Sequence, residues 1–99
     1  MLPVWTMLCG RRGPPSSREP LGVAALICAW NAPQGVIALR LAPAIAAGCT
    51  AVIKPSPETS LDSFLFADLV NEAGLPDGVV NFVTGGVDTG RALVAHPLV

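Results

Sequence analysis

The sequence predicts an α/β fold: three strands of a parallel sheet, apolar on both faces, alternating with three helices as βαβαβα. Three observations carry that expectation. "LGVAALICAW" (21–30) and "CTAVIK" (49–54) are apolar runs without polar alternation, the pattern of strands covered on both faces. The segments that follow them are long enough for helical crossovers and end at Gly48 and Gly74, glycine being the common residue just past a helix. Crossovers of that length join parallel strands and run right-handed.

Taken in order, the first strand spans residues 21–30. Pro33 suits the first turn of a helix, with Asn31 as its N-cap. That helix runs to about Ala47, with Gly48 as its C′ residue. Only Gln34 and Arg40 are polar within it, so it is expected to be buried nearly all round, with a kink at Pro43. Arg40, its single charge, is expected to meet an acidic group or a partner chain.

"CTAVIK" is the second strand. "PSPETS" (55–60) is a turn from which Thr59 or Ser60 caps a second helix reaching Ala73. Leu61, Phe64, Leu65 and Leu69 follow helical spacing there and form its apolar stripe. "LPDG" (75–78) turns into a third strand, "VVNFVT" (79–84). "GGVDTG" (85–90) then leads to a third helix of about Thr89–Ala95, closed by His96-Pro97. Three such strands leave a sheet edge and apolar faces without a covering layer, so the chain is expected to be weakly stable alone.

Composition narrows the function classes. Ninety-nine residues make at most one small domain. The chain is 52% hydrophobic and 13% charged, against about 25% charged for an average soluble domain. Its most apolar region is broken by Arg40, Pro43 and Gly48, short of the roughly 20 residues a spanning helix needs, so no membrane role is expected. Net charge is −1, with no basic run beyond Arg11-Arg12, which argues against nucleic acid as a partner. Cys9, Cys28 and Cys49 are odd in number and lack CxxC spacing. They read as reduced thiols of a cytoplasmic protein, with no metal site. Residues 1–17 carry their positive charges after their apolar stretch, the reverse of a secretory signal. They read as a flexible leader ahead of a domain over 18–99.

In an open parallel sheet, ligands sit outside the carboxyl ends of the strands. Three groups fall there: Ala29-Trp30-Asn31, Lys54 to Glu58, and Gly85-Gly86. The glycines open a helix whose N–H groups could face a pyrophosphate. The spacing is not GxGxxG, and a plain strand-to-helix turn accounts for it without a ligand. Lys54 could donate to ribose hydroxyls or phosphates, or simply reach solvent. Asn31 offers an amide donor of the kind that stabilises an oxyanion, or a helix cap. Cys28 has no evident base and apolar neighbours, so a structural thiol is the simpler reading.

Read together, "REPLGVAALICAWNAP" (18–33), "LAPAIAAGCTAVIKPSPET" (41–59), "NEAGLPDGVVNFVTGG" (71–86) and "ALVAHP" (92–97) resemble the aldehyde dehydrogenase superfamily. The resemblance covers Arg18 to Val99. It implies a three-layer, Rossmann-like cofactor domain, incomplete here, that binds NAD or NADP. It also implies oxidation of a small-molecule aldehyde to a carboxylic acid through a thiohemiacetal on a cysteine, in a protein that is a homo-oligomer when complete. Asn31 matches the family's oxyanion asparagine. Cys28, Ala29 and Trp30 match the strand end lining the nicotinamide side. Lys54 matches the lysine that contacts the adenine ribose, and Pro55, Ser56 and Pro57 its neighbouring loop. Gly86 and Gly90 match glycines near the adenosine end.

This chain also departs from the family. Pro57 stands where many members carry a glutamate that grips the ribose hydroxyls, with Glu58 next to it, which leaves NAD against NADP open. The segment from Val83 to Gly86 is one residue short, and Arg40 replaces a lysine. None of the three cysteines aligns with the nucleophile. The second glycine motif, the general-base glutamate, the nucleophile and the oligomerising arm are expected beyond Val99. The resemblance thus implies a fragment that carries part of the cofactor site and is inactive alone. The alternative is a nucleotide-binding or subunit-associating fragment without chemistry.

Overall fold

Residues 20–99 are described by a computed structural model; Cys9, Arg11, Arg12 and the expected leader over residues 1–17 lie outside the described residues. The elements are β1 (Val23–Ile27), α1 (Pro33–Ala46), β2 (Thr50–Lys54), a 3-10 turn (Pro57–Thr59), α2 (Ser60–Glu72), β3 (Val80–Phe82) and α3 (Val87–Ala95). The sheet is parallel in the order β1-β2-β3, the βαβαβα architecture the apolar runs predict.

The strands are shorter than those runs, and the ladder shows why. Ile27 pairs with Lys54, and the Cys28 N–H reaches the Lys54 carbonyl at 3.0 Å. The Val83 N–H reaches the Ile53 carbonyl at 2.9 Å. Next in β2 comes Pro55, which has no N–H to extend either ladder. All three carboxyl ends therefore finish level, at Cys28, Lys54 and Val83.

The core consists of Leu26, Cys28, Ile37, Leu41, Ala51 and Ile53, with Ala24, Val36, Ile45, Phe66, Val70, Val80 and Phe82 packed against it. The first helix is not buried all round: Ile37 and Leu41 are its buried residues, while Leu39 is 77% exposed. Among the described residues Arg40 meets no acidic group. Its guanidinium donates to the Ile27 carbonyl at 3.3 Å and so ties α1 to the end of β1.

A larger correction concerns α2. The predicted stripe of Leu61, Phe64, Leu65 and Leu69 is 50–82% exposed. Ser63 is buried instead, with Phe66 and Val70 packed on the core. Both rows have helical spacing, and periodicity alone does not say which one meets the sheet. The Ser63 hydroxyl donates to the Thr59 carbonyl at 3.2 Å, so its burial leaves no unmet polar group. Leu65→Gln is accordingly expected to change stability by less than about 0.5 kcal/mol, read from the urea midpoint of the chain. A polar side chain at a core position would cost several times that.

Helix ends divide the same way. Pro33 opens α1 and Gly48 closes it at φ +85. The Gly48 N–H bonds the Ile45 carbonyl and the Cys49 N–H the Ala44 carbonyl, the paired bonds of a Schellman motif, which needs a left-handed residue at that point. The capping expectations fail. Ala32, not Asn31, occupies the α1 cap position, and no side chain caps it. Thr59 precedes α2 without capping it. The Thr59 and Ser60 hydroxyls donate backwards to the Ser56 carbonyl, because the chain is already coiled as a 3-10 turn there. The third helix begins at Val87, two residues before its expected start. Among the described residues no helix is long and apolar enough to cross a membrane.

Candidate functional site

Because the strands finish level, the segments leaving them share one edge of the sheet. A cleft of about 470 Å³ opens there. Cys28, just past β1, stands on one side of it, Lys54, Ser56, Pro57 and Glu58 line another, and Gly86 with Val87 and Gly90 of α3 completes it. Six of the residues expected at the site (Cys28, Lys54, Ser56, Pro57, Gly86 and Gly90) are thus brought together. Pro55 is fully buried. Ala29, Trp30 and Asn31 do not line the cleft. They are exposed, Trp30 by 67%, in the segment that runs from β1 to α1.

Lys54 does not stretch into solvent. It is 5% exposed, and its ammonium donates to the Pro55 carbonyl at 3.1 Å. Its stem lies along α3: a Cβ on Gly90 would meet Lys54 Cδ and Cε at 3.7 Å. A largely buried cation is costly unless its donors are engaged, and one carbonyl occupies one of three N–H groups. Among the described residues no acceptor takes the other two, which can serve oxygen acceptors in the cleft.

Glu58 stands in the first turn after Lys54's strand, fully exposed, and its carboxylate accepts a hydrogen bond from the Ser56 hydroxyl. That bond, helped by the Glu58 backbone amide and by the charge of Lys54, holds the carboxyl below its ordinary value. Glu58 is therefore an anion at neutral pH. The sequence places Glu58 in the strand-end group with Lys54 but does not show that it carries the negative charge of this wall.

Cys28 is no activated thiol. Burial pushes it up, against a smaller downward pull from Arg40, and its Sγ lies 3.6 Å from the Leu26 carbonyl. At neutral pH it stays protonated, the unreactive form.

The glycine pair has separable tasks. Gly85 sits at φ +153, where a Cβ would overlap the Thr89 side chain. Gly86 has an ordinary φ of −85, and a Cβ there would meet nothing within 4 Å. Gly86 is also the cap residue of α3, and among the described residues no side-chain cap bonds the start of that helix. An uncapped helix start beside a cation is a place where an anion fits. The pair was visible in the sequence, but nothing in it says which of the two takes the glycine-only conformation. Among the described residues no group of three or more His, Cys, Asp or Glu is placed to hold a metal.

Comparison with known proteins decides what this edge belongs to. The profile of the aldehyde dehydrogenase family matches residues 10–99. The chain belongs to the aldehyde dehydrogenase family. It is 52% identical over 81 residues to the chloroplastic betaine aldehyde dehydrogenase of Beta vulgaris, covering 81% of this chain and 16% of that protein. It is 54% identical over 80 residues to the hydroxyisobutyraldehyde dehydrogenase of Mycolicibacterium austroafricanum, covering 80% of this chain and 16% of that protein. Among solved structures, the aldehyde dehydrogenase of Mycobacterium tuberculosis complexed with NAD+ superposes with a TM-score of 0.80 at 47% identity. That match covers 84% of this chain and 17% of the other. The chain therefore spans about a sixth of the length of the aldehyde dehydrogenases it matches. Its three parallel strands and three helices match the Rossmann-like part of that fold.

Proposed function

We propose that this chain supplies the adenosine-side part of an NAD(P) site, and an oxyanion donor, to an enzyme that oxidises an aldehyde to a carboxylic acid. The observation that carries the reading is the cleft itself. It gathers Lys54, the Ser56–Glu58 turn and the glycine start of α3 from separate carboxyl-edge segments. A dinucleotide suits these residues. The uncapped N-terminus of α3 offers N–H groups to a diphosphate, and bare Gly86 lets it approach closely. The two free donors of Lys54 suit ribose hydroxyls. When bound, the dinucleotide supplies the two-electron oxidising power. The protein binds it, orients it and keeps the strand ends rigid through Pro55 and Pro57.

Asn31 is the amide we assign to the reacting carbonyl oxygen. It lies on the segment that leaves the same edge of the sheet, and Ala32 holds the helix cap position instead. Its amide is thus not spent on capping and can serve as an oxyanion donor. Cys28, buried and protonated, is unsuited to be the nucleophile, so the chain alone is expected to turn over no aldehyde. The same reading includes homo-oligomeric assembly of the complete protein. It also includes a cytoplasmic setting, in keeping with the free thiols of Cys28 and Cys49. A nucleotide-binding fragment without chemistry is the second reading, favoured by that same inert thiol.

Calorimetric titration of the 99-residue chain with NAD+, beside its circular dichroism, tests the binding claim. Saturable binding is expected, and Lys54→Met should weaken it about tenfold or more, as for a lost hydrogen bond to a charged group. A folded chain that gives no saturable heat up to several millimolar NAD+ would overturn the reading.

A further inference from the structure

We propose that residues 1–9 of this chain dock in an apolar groove between α1 and α2, with Trp5 as the anchor. The groove is a cavity of about 380 Å³, lined among the described residues by Ala38, Leu41, Ala42, Ile45 and Ala46 of α1 and by Phe66 of α2. It shares no residue with the cleft at the carboxyl edge. Spacing explains its shape. Ala38, Ala42 and Ala46 stand one turn apart on the same face of α1 and are exposed, so three methyl groups leave a channel that larger side chains would fill. Leu41, Ile45 and Phe66 give it apolar walls.

Three observations choose the occupant. The first is chemistry. None of the six lining side chains is polar, whereas a small-molecule pocket carries a few placed polar groups. Residues 1–9, "MLPVWTMLC", hold one hydroxyl, that of Thr6, and no charged side chain. They precede the family-matched stretch and lie outside the described residues. The second is position. Pro20, where the described chain begins, packs on Gly48: a Cβ at position 48 would meet Pro20 Cβ and Cγ at 3.5 Å. Gly48 is two residues past Ala46, so the chain enters the fold at the end of the groove. The third is reach. Residues 10–19 can span up to about 33 Å, and the groove runs only about 12 Å along α1 from Ala38 to Ala46. Those ten residues, "GRRGPPSSRE", are polar or turn-forming and do not compete for an apolar groove. A tether this short makes docking intramolecular, which favours the chain's own segment over a second copy.

Tryptophan fluorescence of the 99-residue chain reads the contact, because Trp5 and Trp30 are its two tryptophans. Trp30 is exposed, so Trp30→Phe spares the fold and leaves Trp5 as the single reporter. Its emission is expected to be blue-shifted from the value in urea and shielded from acrylamide. Ala42→Glu, added to that variant, sets a charge in the groove at an exposed helical position where glutamate is a good helix former. It should return the emission to the urea value with circular dichroism unchanged, and Ala38→Glu, one turn away, should do the same. Deleting residues 1–9 should lower the urea midpoint by about 1 M, the effect of one large buried side chain at the usual urea slope. Trp5 emission that already equals the urea value in native buffer would overturn the inference. So would a blue shift that neither glutamate alters, or a midpoint that the deletion leaves unchanged. A blue shift that fades on dilution, with dimers in sedimentation, would give the groove to a second copy and overturn it as well.

Discussion

Alanine at position 85 is expected to cost the fold about 3 kcal/mol, the sum of a strained backbone and a steric overlap. Gly85 has φ +153, a conformation that a side chain rarely tolerates. An added Cβ would also lie 2.6 Å from Thr89 Cβ and overlap its hydroxyl. Neither problem has an easy escape. Thr89 stands in the first turn of α3, and moving its Cβ means moving the helix. Since that helix carries Gly86 and Gly90 into the cleft, nucleotide affinity should fall together with stability. Gly86→Ala is the control. Its φ of −85 is ordinary and its Cβ would face open space, so a stability change within about 0.5 kcal/mol is expected. Urea denaturation followed by circular dichroism measures both. Equal effects at positions 85 and 86 would show that glycine is not required where the backbone places it.

Ile53→Ala is expected to cost about 3 kcal/mol, within the usual range for emptying a buried isoleucine site. Ile53 has no exposed surface and lies in β2, the central strand, between Leu26 of β1 and Phe82 of β3. Only six hydrophobic residues are buried among the described residues, so one truncation removes a large share of the apolar contact that holds the sheet to α1. Ile53→Val, which removes one methylene, should cost about 1 kcal/mol. The position also matters to the cleft. The Ile53 carbonyl receives the Val83 N–H at 2.9 Å, the last bond of the β2–β3 ladder before Lys54. Urea midpoints for the three proteins would give the series. A loss below about 1 kcal/mol for the alanine variant would contradict the packing of β2.

What could be read from the chain depends on the range of the physics involved. Gly48 and Gly74 were legible as helix ends because a left-handed residue after a helix is a local demand. The grouping of Lys54, Ser56 and Gly86 was legible because chain order decides which end of a parallel strand is the carboxyl end. The family motifs add to this by implying roles for Asn31 and Lys54 that spacing alone leaves open. Asn31 beside Ala32 was not legible as a non-cap. Cap geometry depends on the path of the chain out of β1, and that path is bent by a strand ending at Ile27 and not at Trp30. Arg40 shows a similar limit: its partner among the described residues is a strand-end carbonyl, a group every sequence contains and none advertises.

The sequence by itself determined the order and kind of the elements, the parallel sheet and the edge on which the candidate site lies. All follow from local periodicity, backbone chemistry and chain direction. The tertiary structure alone decided which row of α2 faces the sheet. Leu61, Phe64, Leu65 and Leu69 make the more apolar stripe, yet Ser63, Phe66 and Val70 fill the space beside β3 and α1. It likewise decided that Gly85 takes the glycine-only conformation, and that Lys54 is held beneath the cleft while Glu58 stands at its rim. These outcomes depend on where atoms far apart in the chain come to rest. Burial and overlap are properties of that joint arrangement, and no short stretch of residues contains it.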